Sequence, residues 1–72
     1  MTELDATGLR CPLPVLKARK ALKSVGEGET LTVLATDPAA VKDFQAFCAE
    51  TAHAFVYWSE DGDVYRITLR RG

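Results

Sequence analysis

The sequence lacks any long uncharged stretch, and this excludes a membrane-spanning helix. Its longest run without a charged residue, from Thr51 to Ser59, has nine residues, whereas a spanning helix needs about 20 apolar residues. The chain opens on Met1-Thr2-Glu3-Leu4-Asp5, which is acidic and contains no apolar stretch. We therefore expect no signal peptide and no membrane partner.

Cysteine and histidine are also scarce, with two and one among the 72 residues. Two cysteines without an export signal predict free thiols in a reducing cytoplasm rather than a disulfide framework. No Cys-x-x-Cys or comparable ligand pair is present, so we expect no metal site. A chain this short has no room for a deep site that encloses a large cofactor, and we expect no cofactor.

An excess of one charge is missing as well. Nine basic residues face ten acidic ones, giving a net charge of -1, which argues against non-specific binding to nucleic acid. With 47% hydrophobic and 26% charged residues, the composition is that of a globular protein and not of a disordered chain. We expect residues 1–72 to form one domain.

The charge is nevertheless unevenly distributed. The segment from Arg10 to Lys23 carries five basic residues and no acidic one, so the rest of the chain has four basic and ten acidic residues. Such a run is typical of a solvated helix face, and it also suits a surface that docks an acidic partner. Both interpretations remain open from the sequence.

Hydrophobic periodicity predicts six elements in the order β-α-β-α-β-β. The strands are predicted at residues 4–6, 31–36, 53–59 and 64–70, and the helices at residues 12–25 and from residue 37 onward. Each helix has one apolar stripe, so both helices must cover one face of the sheet. The expected fold is an α/β (α+β) two-layer sandwich with a mixed four-stranded sheet.

The ends of these elements carry recognisable signals. Cys11 is predicted to be the N-cap of the first helix with Pro12 at its first position, although Pro14 makes a start at residue 14 possible. Gly26 is predicted to end that helix as its C′ residue. Asp37 is predicted to cap the second helix, with partner contact as the alternative. Asp61-Gly62 predicts a tight hairpin.

Cys11 stands out because it lies between Arg10 and Pro12 at the start of a basic helix. The positive end of a helix and basic neighbours lower a thiol pKa, so we expect a lowered pKa for Cys11. Pro12 and Pro14 limit this effect because they remove N–H groups from the first turn. Position 14 also lacks the second cysteine of a Cys-x-x-Cys motif, so a sulfur adduct on Cys11 must leave to another protein.

These residues resemble the TusA/SirA-like sulfur-carrier family over essentially the whole chain. The resemblance is carried by Leu4-Asp5, Gly8-Leu9, Cys11-Pro12-x-Pro14, Ala35-Thr36-Asp37-Pro38, Asp43, His53 and Asp61-Gly62. It implies a β-α-β-α-β-β sandwich and a cysteine persulfide at Cys11. The chain departs from the family pattern at Gln45, where proline is frequent, and at Ala52-His53-Ala54, where Gly-His-Glu is frequent.

The resemblance implies a sulfurtransferase that relays sulfur between proteins. Cys11 is then the catalytic residue, and Arg10, Pro12 and Pro14 belong to its motif and tune the thiol. We expect partner docking through the group Lys17, Arg19, Lys20 and Asp37. The donor is expected to be a cysteine desulfurase or a rhodanese, and the acceptor another protein. The destinations open to the family include tRNA thiolation, molybdenum-cofactor synthesis and sulfur oxidation. We expect a cytoplasmic monomer.

Two other classes of function compete with this interpretation. In one, the chain is a non-catalytic adaptor or regulator that binds a partner through the basic helix, and Cys11 is structural. In the other, it is a nucleic-acid-binding module, whose affinity would depend steeply on salt.

Four further residues each have two interpretations. Cys48 is expected in the core, with a redox role as the alternative. His53 is expected to open a strand, with proton transfer as the alternative. Tyr57 and Trp58 are expected on opposite sides of the third strand, with one of them on the face away from the helices, where a docking patch is the alternative.

Overall fold

A computed structural model describes residues 2–72 and contains the predicted six elements in the predicted order. Several of their bounds differ by one to three residues from those expected. The elements are β1 (Thr2–Ala6), α1 (Leu13–Leu22), β2 (Thr30–Ala35), α2 (Ala40–Ala49), β3 (Ala54–Asp61) and β4 (Val64–Arg70).

The four strands form one mixed sheet in the order β1-β2-β4-β3. β1 is parallel to β2, whereas β2 and β4, and β4 and β3, are antiparallel. α1 lies against β1 and β2, and α2 lies against β3 and β4. Both helices therefore cover the same face of the sheet, which confirms the predicted two-layer architecture.

Alternate residues of the strands point into the layer between sheet and helices. Leu31, Val33 and Ala35 of β2 are buried, and each is opposite a residue of β4 on the same face. The largest fully buried side chains are Phe44, Leu22, Leu31, Ile67, Leu69, Val33 and Pro14. The predicted apolar face of α2 is confirmed, because Val41, Phe44, Phe47 and Cys48 are all buried.

The opposite face of the sheet carries polar pairs. The Thr32 and Thr68 hydroxyls lie 3.3 Å apart on neighbouring strands. Arg66 of β4 reaches across β2 to Glu3 of β1, with 3.4 Å between Nη1 and Oε2. This exposed ion pair contributes little to stability, since solvent screens it.

The first helix is shorter than predicted at both ends. Its N-cap is Pro12 and not Cys11, because Pro12 has φ -99° and ψ 15° and lies in a turn before the helix. The amide of Leu13 donates to the Arg10 carbonyl at 2.8 Å and closes that turn. Pro12 and Pro14 together delay regular helix formation, since neither has an N–H to donate.

At the other end, α1 stops at Leu22 because the chain tightens into a turn. The amide of Val25 donates to the carbonyl of Leu22, a three-residue span, instead of continuing the α-helical pattern. Gly26 is not among the residues with positive φ, so the prediction that it ends the helix as C′ was wrong. Val25 is still buried, as the apolar stripe predicted.

The second helix also begins later than predicted, at Ala40 with Ala39 as N-cap. Asp37 caps the turn that precedes the helix. Its Oδ1 accepts the Ala39 N–H at 3.0 Å, and its carbonyl accepts the Ala40 N–H at 3.0 Å. The capping prediction was therefore right in its hydrogen bonding and wrong in its position.

The hairpin between β3 and β4 confirms the Asp61-Gly62 prediction. Asp61 pairs with Val64, and Gly62 has φ +62°, which glycine adopts without the steric cost of a side chain. A bulge in β3 falls between Phe55 and Tyr57. After it, Tyr57 pairs with Thr68 on the open face and Trp58 pairs with Ile67 on the helix face, so the two aromatic residues do lie on opposite sides.

Within residues 2–72, neither helix is long and apolar enough to span a membrane.

Candidate functional site: an exposed thiol between two loops

Cys11 lies at the edge of the sheet where β1 and β2 both end. Because the two strands are parallel, the loops that follow them meet at this edge. Two hydrogen bonds join the loops. The Gly8 amide donates to Thr36 Oγ1 at 2.9 Å, and the Cys11 amide donates to Asp37 Oδ2 at 2.6 Å. Cys11 itself is exposed, so its sulfur is accessible to another molecule.

Clefts open on two sides of Cys11. The larger, of about 400 Å³, lies between the two loops and is lined by Gly8, Leu9, Arg10, Cys11, Thr36, Asp37, Pro38 and Ala39. The smaller, of about 200 Å³, lies between the start of α1 and α2 and is lined by Cys11, Pro12, Val15, Asp43, Ala46, Phe47 and Glu50. Cys11 thus lines both clefts.

The thiol pKa is shifted in the direction opposite to that expected from the sequence. Hydrogen bonding with the Asp43 carboxylate raises the pKa of Cys11 above the ordinary value of a cysteine. Partial desolvation and the negative charges of Asp43 and Asp37 act in the same direction. The prediction of a lowered pKa was wrong because it considered only the residues next to Cys11 in the chain.

Asp37 is held as a carboxylate by the groups around it. Hydrogen bonds from the amides of Ala39 and Cys11 lower the pKa of Asp37 below 3.8, and the charge of Arg10 lowers it further. Arg10 also lines the larger cleft beside Cys11. The positive charge expected to favour the thiolate is therefore partly offset by Asp37.

The basic residues of α1 lie apart from the sulfur. The Lys17 ammonium donates to the Asp5 carbonyl at 2.8 Å and so fastens α1 to β1. The Arg19 guanidinium lies 5.5 Å from the centre of the Phe47 ring. Lys20 is exposed on the outer face of the helix. These three residues do not line either cleft, although their helix directly follows the turn that holds Cys11.

Cys48 and His53 lie away from Cys11. Cys48 is only 8% exposed, and burial raises the pKa of its thiol, as expected for a core residue. His53 directly precedes β3, where it stacks on Phe47 with 5.7 Å between ring centres and its Nδ1 accepts the Gly72 amide at 3.2 Å.

Apolar side chains are exposed next to the thiol. Leu13 and Leu16 of α1 are 48% and 51% exposed, and both belong to the first turns of the helix that follows Cys11. No group of three or more His, Cys, Asp or Glu side chains within residues 2–72 is arranged to hold a metal ion.

Asp43 is the residue whose contact with the thiol sequence reasoning missed. In the sequence it belongs only to the family pattern, and it follows Cys11 by 32 positions. The residues next to Asp43 in the chain give no signal for this contact, because only the packing of α2 beside the start of α1 brings Asp43 to the cleft that Cys11 lines.

A two-layer α/β fold that presents one exposed thiol beside two clefts is compatible with a small protein that transfers a group through that thiol. The family model described as "Sulfurtransferase TusA" matches residues 2–71. The chain therefore belongs to the TusA family of sulfurtransferases.

Individual relatives agree with this assignment. The sulfur carrier protein TusA of Allochromatium vinosum is 44% identical over 69 residues, covering 96% of this chain and 91% of the relative. A protein of Neisseria meningitidis serogroup A, provisionally named a sulfur carrier protein, is 49% identical over 67 residues, covering 93% of this chain and 90% of the relative.

The fold is also similar to that of a solved structure. The crystal structure of the SirA-like protein from Desulfitobacterium hafniense has a TM-score of 0.84 and 32% sequence identity. The match covers 100% of this chain and 99% of that chain.

Proposed function

We propose that this protein is a sulfur carrier that holds the transferred sulfur as a persulfide on Cys11. The observation that carries the proposal is the contrast between its two cysteines, since Cys11 is exposed at the junction of two clefts and Cys48 is buried. A carrier must present its sulfur to two different proteins in turn, and only Cys11 is accessible to both.

The transfer needs no oxidant or reductant from outside. The Cys11 sulfur attacks the outer sulfur of a donor persulfide, a new S–S bond forms, and the S–S bond in the donor breaks. The donor cysteine leaves as a thiolate and takes up the proton that Cys11 gives up. The products are a donor thiol and a Cys11 persulfide, whose outer sulfur passes to an acceptor thiol by the same exchange.

The residues around the sulfur have supporting roles in this proposal. Pro12 and Pro14 set the turn that keeps Cys11 outside the helix, and Pro14 anchors that turn in the core. Arg10 lies at the cleft beside Cys11 and faces Asp37. Asp37 accepts a hydrogen bond from the Cys11 amide, so its main role in this proposal is to position Cys11, and contact with a partner is secondary.

The docking surface we propose is the outer side of α1. It combines exposed Leu13 and Leu16 with the cations Lys17, Arg19 and Lys20. Lys20 lies about 10 Å along the helix axis from Leu13, so a partner that places carboxylates opposite these cations also reaches the thiol. The donor we propose is a cysteine desulfurase or a rhodanese in the cytoplasm, and tRNA thiolation is one pathway that such a carrier supplies.

Intact-protein mass spectrometry tests the proposal. The reduced protein is incubated separately with a cysteine desulfurase plus cysteine and with a rhodanese plus thiosulfate. We expect a gain of one sulfur atom that reductant reverses, no gain in Cys11→Ser, and an unchanged gain in Cys48→Ser. A gain in Cys11→Ser, or none in the native chain from either donor, would overturn it. If the native chain gains no sulfur from either donor and Cys11→Ser still binds the partner, the results would support an adaptor instead.

The docking surface has its own test, which compares two exposed lysines on different helices. Lys20→Glu should raise the KM for donor-catalysed loading and leave loading by a small persulfide unchanged. Lys42→Glu makes the same charge change on α2 and should affect neither rate. Equal effects of the two substitutions would show that α1 is not the docking face.

A further inference from the structure

Asp43 is placed beside the thiol by a well-anchored part of the fold. It lies in the first turn of α2, where its amide donates to the Ala39 carbonyl at 3.0 Å. The next residue, Phe44, is 0% exposed and fixes the rotation of the helix. The Asp43 side chain is half-buried and lines the same cleft as Cys11. Hydrogen bonding with this carboxylate raises the pKa of the Cys11 thiol.

The charges that face the sulfur are mostly negative. Asp37 comes from the loop after β2, Asp43 from the start of α2, and Glu50 from the C-cap of α2 at the end of the same cleft. Arg10 is the one cation among the residues that line either cleft. A thiol donates to a carboxylate only while it keeps its proton, and a thiolate at the same place is repelled.

We propose that Asp43 is a positioning residue that keeps Cys11 protonated in the unbound carrier until a partner brings a positive charge to the Asp43 carboxylate. The inference rests on the proposed function, because it concerns the sulfur that Cys11 accepts. A carrier that waits as a thiol reacts slowly with stray oxidants and small persulfides, since the thiolate is the reactive form. A docked donor then activates the sulfur locally.

The same charge acts on both half-reactions. In uptake Cys11 must become a thiolate beside Asp43, and in release Cys11 leaves as a thiolate at the same place. Asp43 therefore restrains both steps until a positive charge faces its carboxylate.

The first experiment measures the alkylation of Cys11 by iodoacetamide as a function of pH. In Asp43→Asn, which removes the charge and keeps the shape, we expect the midpoint to move to lower pH. We expect the rate at pH 7 to rise as well, since pH 7 lies below the midpoint and a lower midpoint increases the thiolate fraction there. Glu50→Gln removes a charge from the same cleft without touching the thiol and should stay close to the native profile.

Asp43→Ser provides a second neutral variant, with the same expectation, in case the asparagine perturbs the helix. An unchanged or higher midpoint in a folded neutral variant would overturn the role of Asp43, and so would an equal shift in Glu50→Gln. Persulfide loading is measured on the same samples. Absence of loading on Cys11 in the native chain refutes the proposed function. Normal loading, with an unchanged alkylation midpoint in the neutral variants, refutes only the role of Asp43.

The second experiment tests the charge of the partner with two small disulfides of opposite charge. Cystamine carries amino groups and dithiodiglycolate carries carboxylates, and both react with a thiolate by exchange. We expect cystamine to react faster relative to dithiodiglycolate in the native chain than in Asp43→Asn. An equal ratio in the two proteins would refute the activation of Cys11 by a positive charge.

Discussion

Replacing Leu22 with alanine tests which face of α1 holds the helix to the sheet. Leu22 is 1% exposed, whereas Leu16, on the same helix, is 51% exposed. Leu22→Ala removes three buried carbons, or about 2.4 kcal/mol at about 0.8 kcal/mol each. The cavity left behind brings the expected loss in unfolding free energy to about 3–5 kcal/mol. Leu16→Ala is the matched control, and we expect it to cost about 0.5 kcal/mol or less.

Thermal unfolding followed by circular dichroism is the direct assay. For a domain of this size, 1 kcal/mol corresponds to about 4–8 °C in Tm, so Leu22→Ala should lower Tm by about 12 °C or more. Leu16→Ala should change it by a few degrees at most. Equal losses in the two variants, or a loss below about 1 kcal/mol for Leu22→Ala, would refute the assigned orientation of α1 and with it the placement of the Cys11 turn.

Three further predictions follow from single contacts. In the native protein one thiol should react with a disulfide reagent, and Cys48 should react only after unfolding; fast reaction of both would contradict the burial of Cys48. Asp37→Asn should weaken the pH dependence of stability in acid. The lowered pKa of Asp37 means that its contribution is complete above 3.8 and is lost as pH falls through the lower folded value. Parallel stability curves for Asp37→Asn and native protein as the pH falls from 3.8 through the folded value would argue against the two amide hydrogen bonds. Gly62→Ala should cost about 1–2 kcal/mol because φ is +62° with no side-chain clash nearby, and Gly62→Asn should cost less; equal costs would contradict a purely backbone origin.

The order of elements was predictable because apolar residues recur with the period of each element. Val41, Phe44 and Cys48 mark the buried side of α2, and Leu31, Val33 and Ala35 alternate along β2. The hairpin was predictable for a local reason too, since Asp61-Gly62 supplies the residue that adopts positive φ. Patterns of this kind depend only on neighbours in the chain.

The ends of the helices and the state of the thiol depend on more than neighbours. Two prolines close together, at positions 12 and 14, formed a turn where a helix start was expected. The pKa of Cys11 is set by Asp43, which folding brings to the thiol from α2, so the basic residues around Cys11 in the chain gave the wrong direction. The motif singled out Cys11, which the structure leaves exposed, but it gave no information on the charges that folding brings to the thiol.

The most direct test of the account follows radioactive sulfur through one cycle. The native chain, Cys11→Ser and Cys48→Ser are loaded from a labelled donor, freed of the donor, and treated with cyanide, which takes the outer sulfur of a persulfide as thiocyanate. We expect one labelled thiocyanate per chain from the native protein and Cys48→Ser, and none from Cys11→Ser. Label released from Cys11→Ser, or label that cyanide fails to release from the native chain, would contradict sulfur carriage on Cys11.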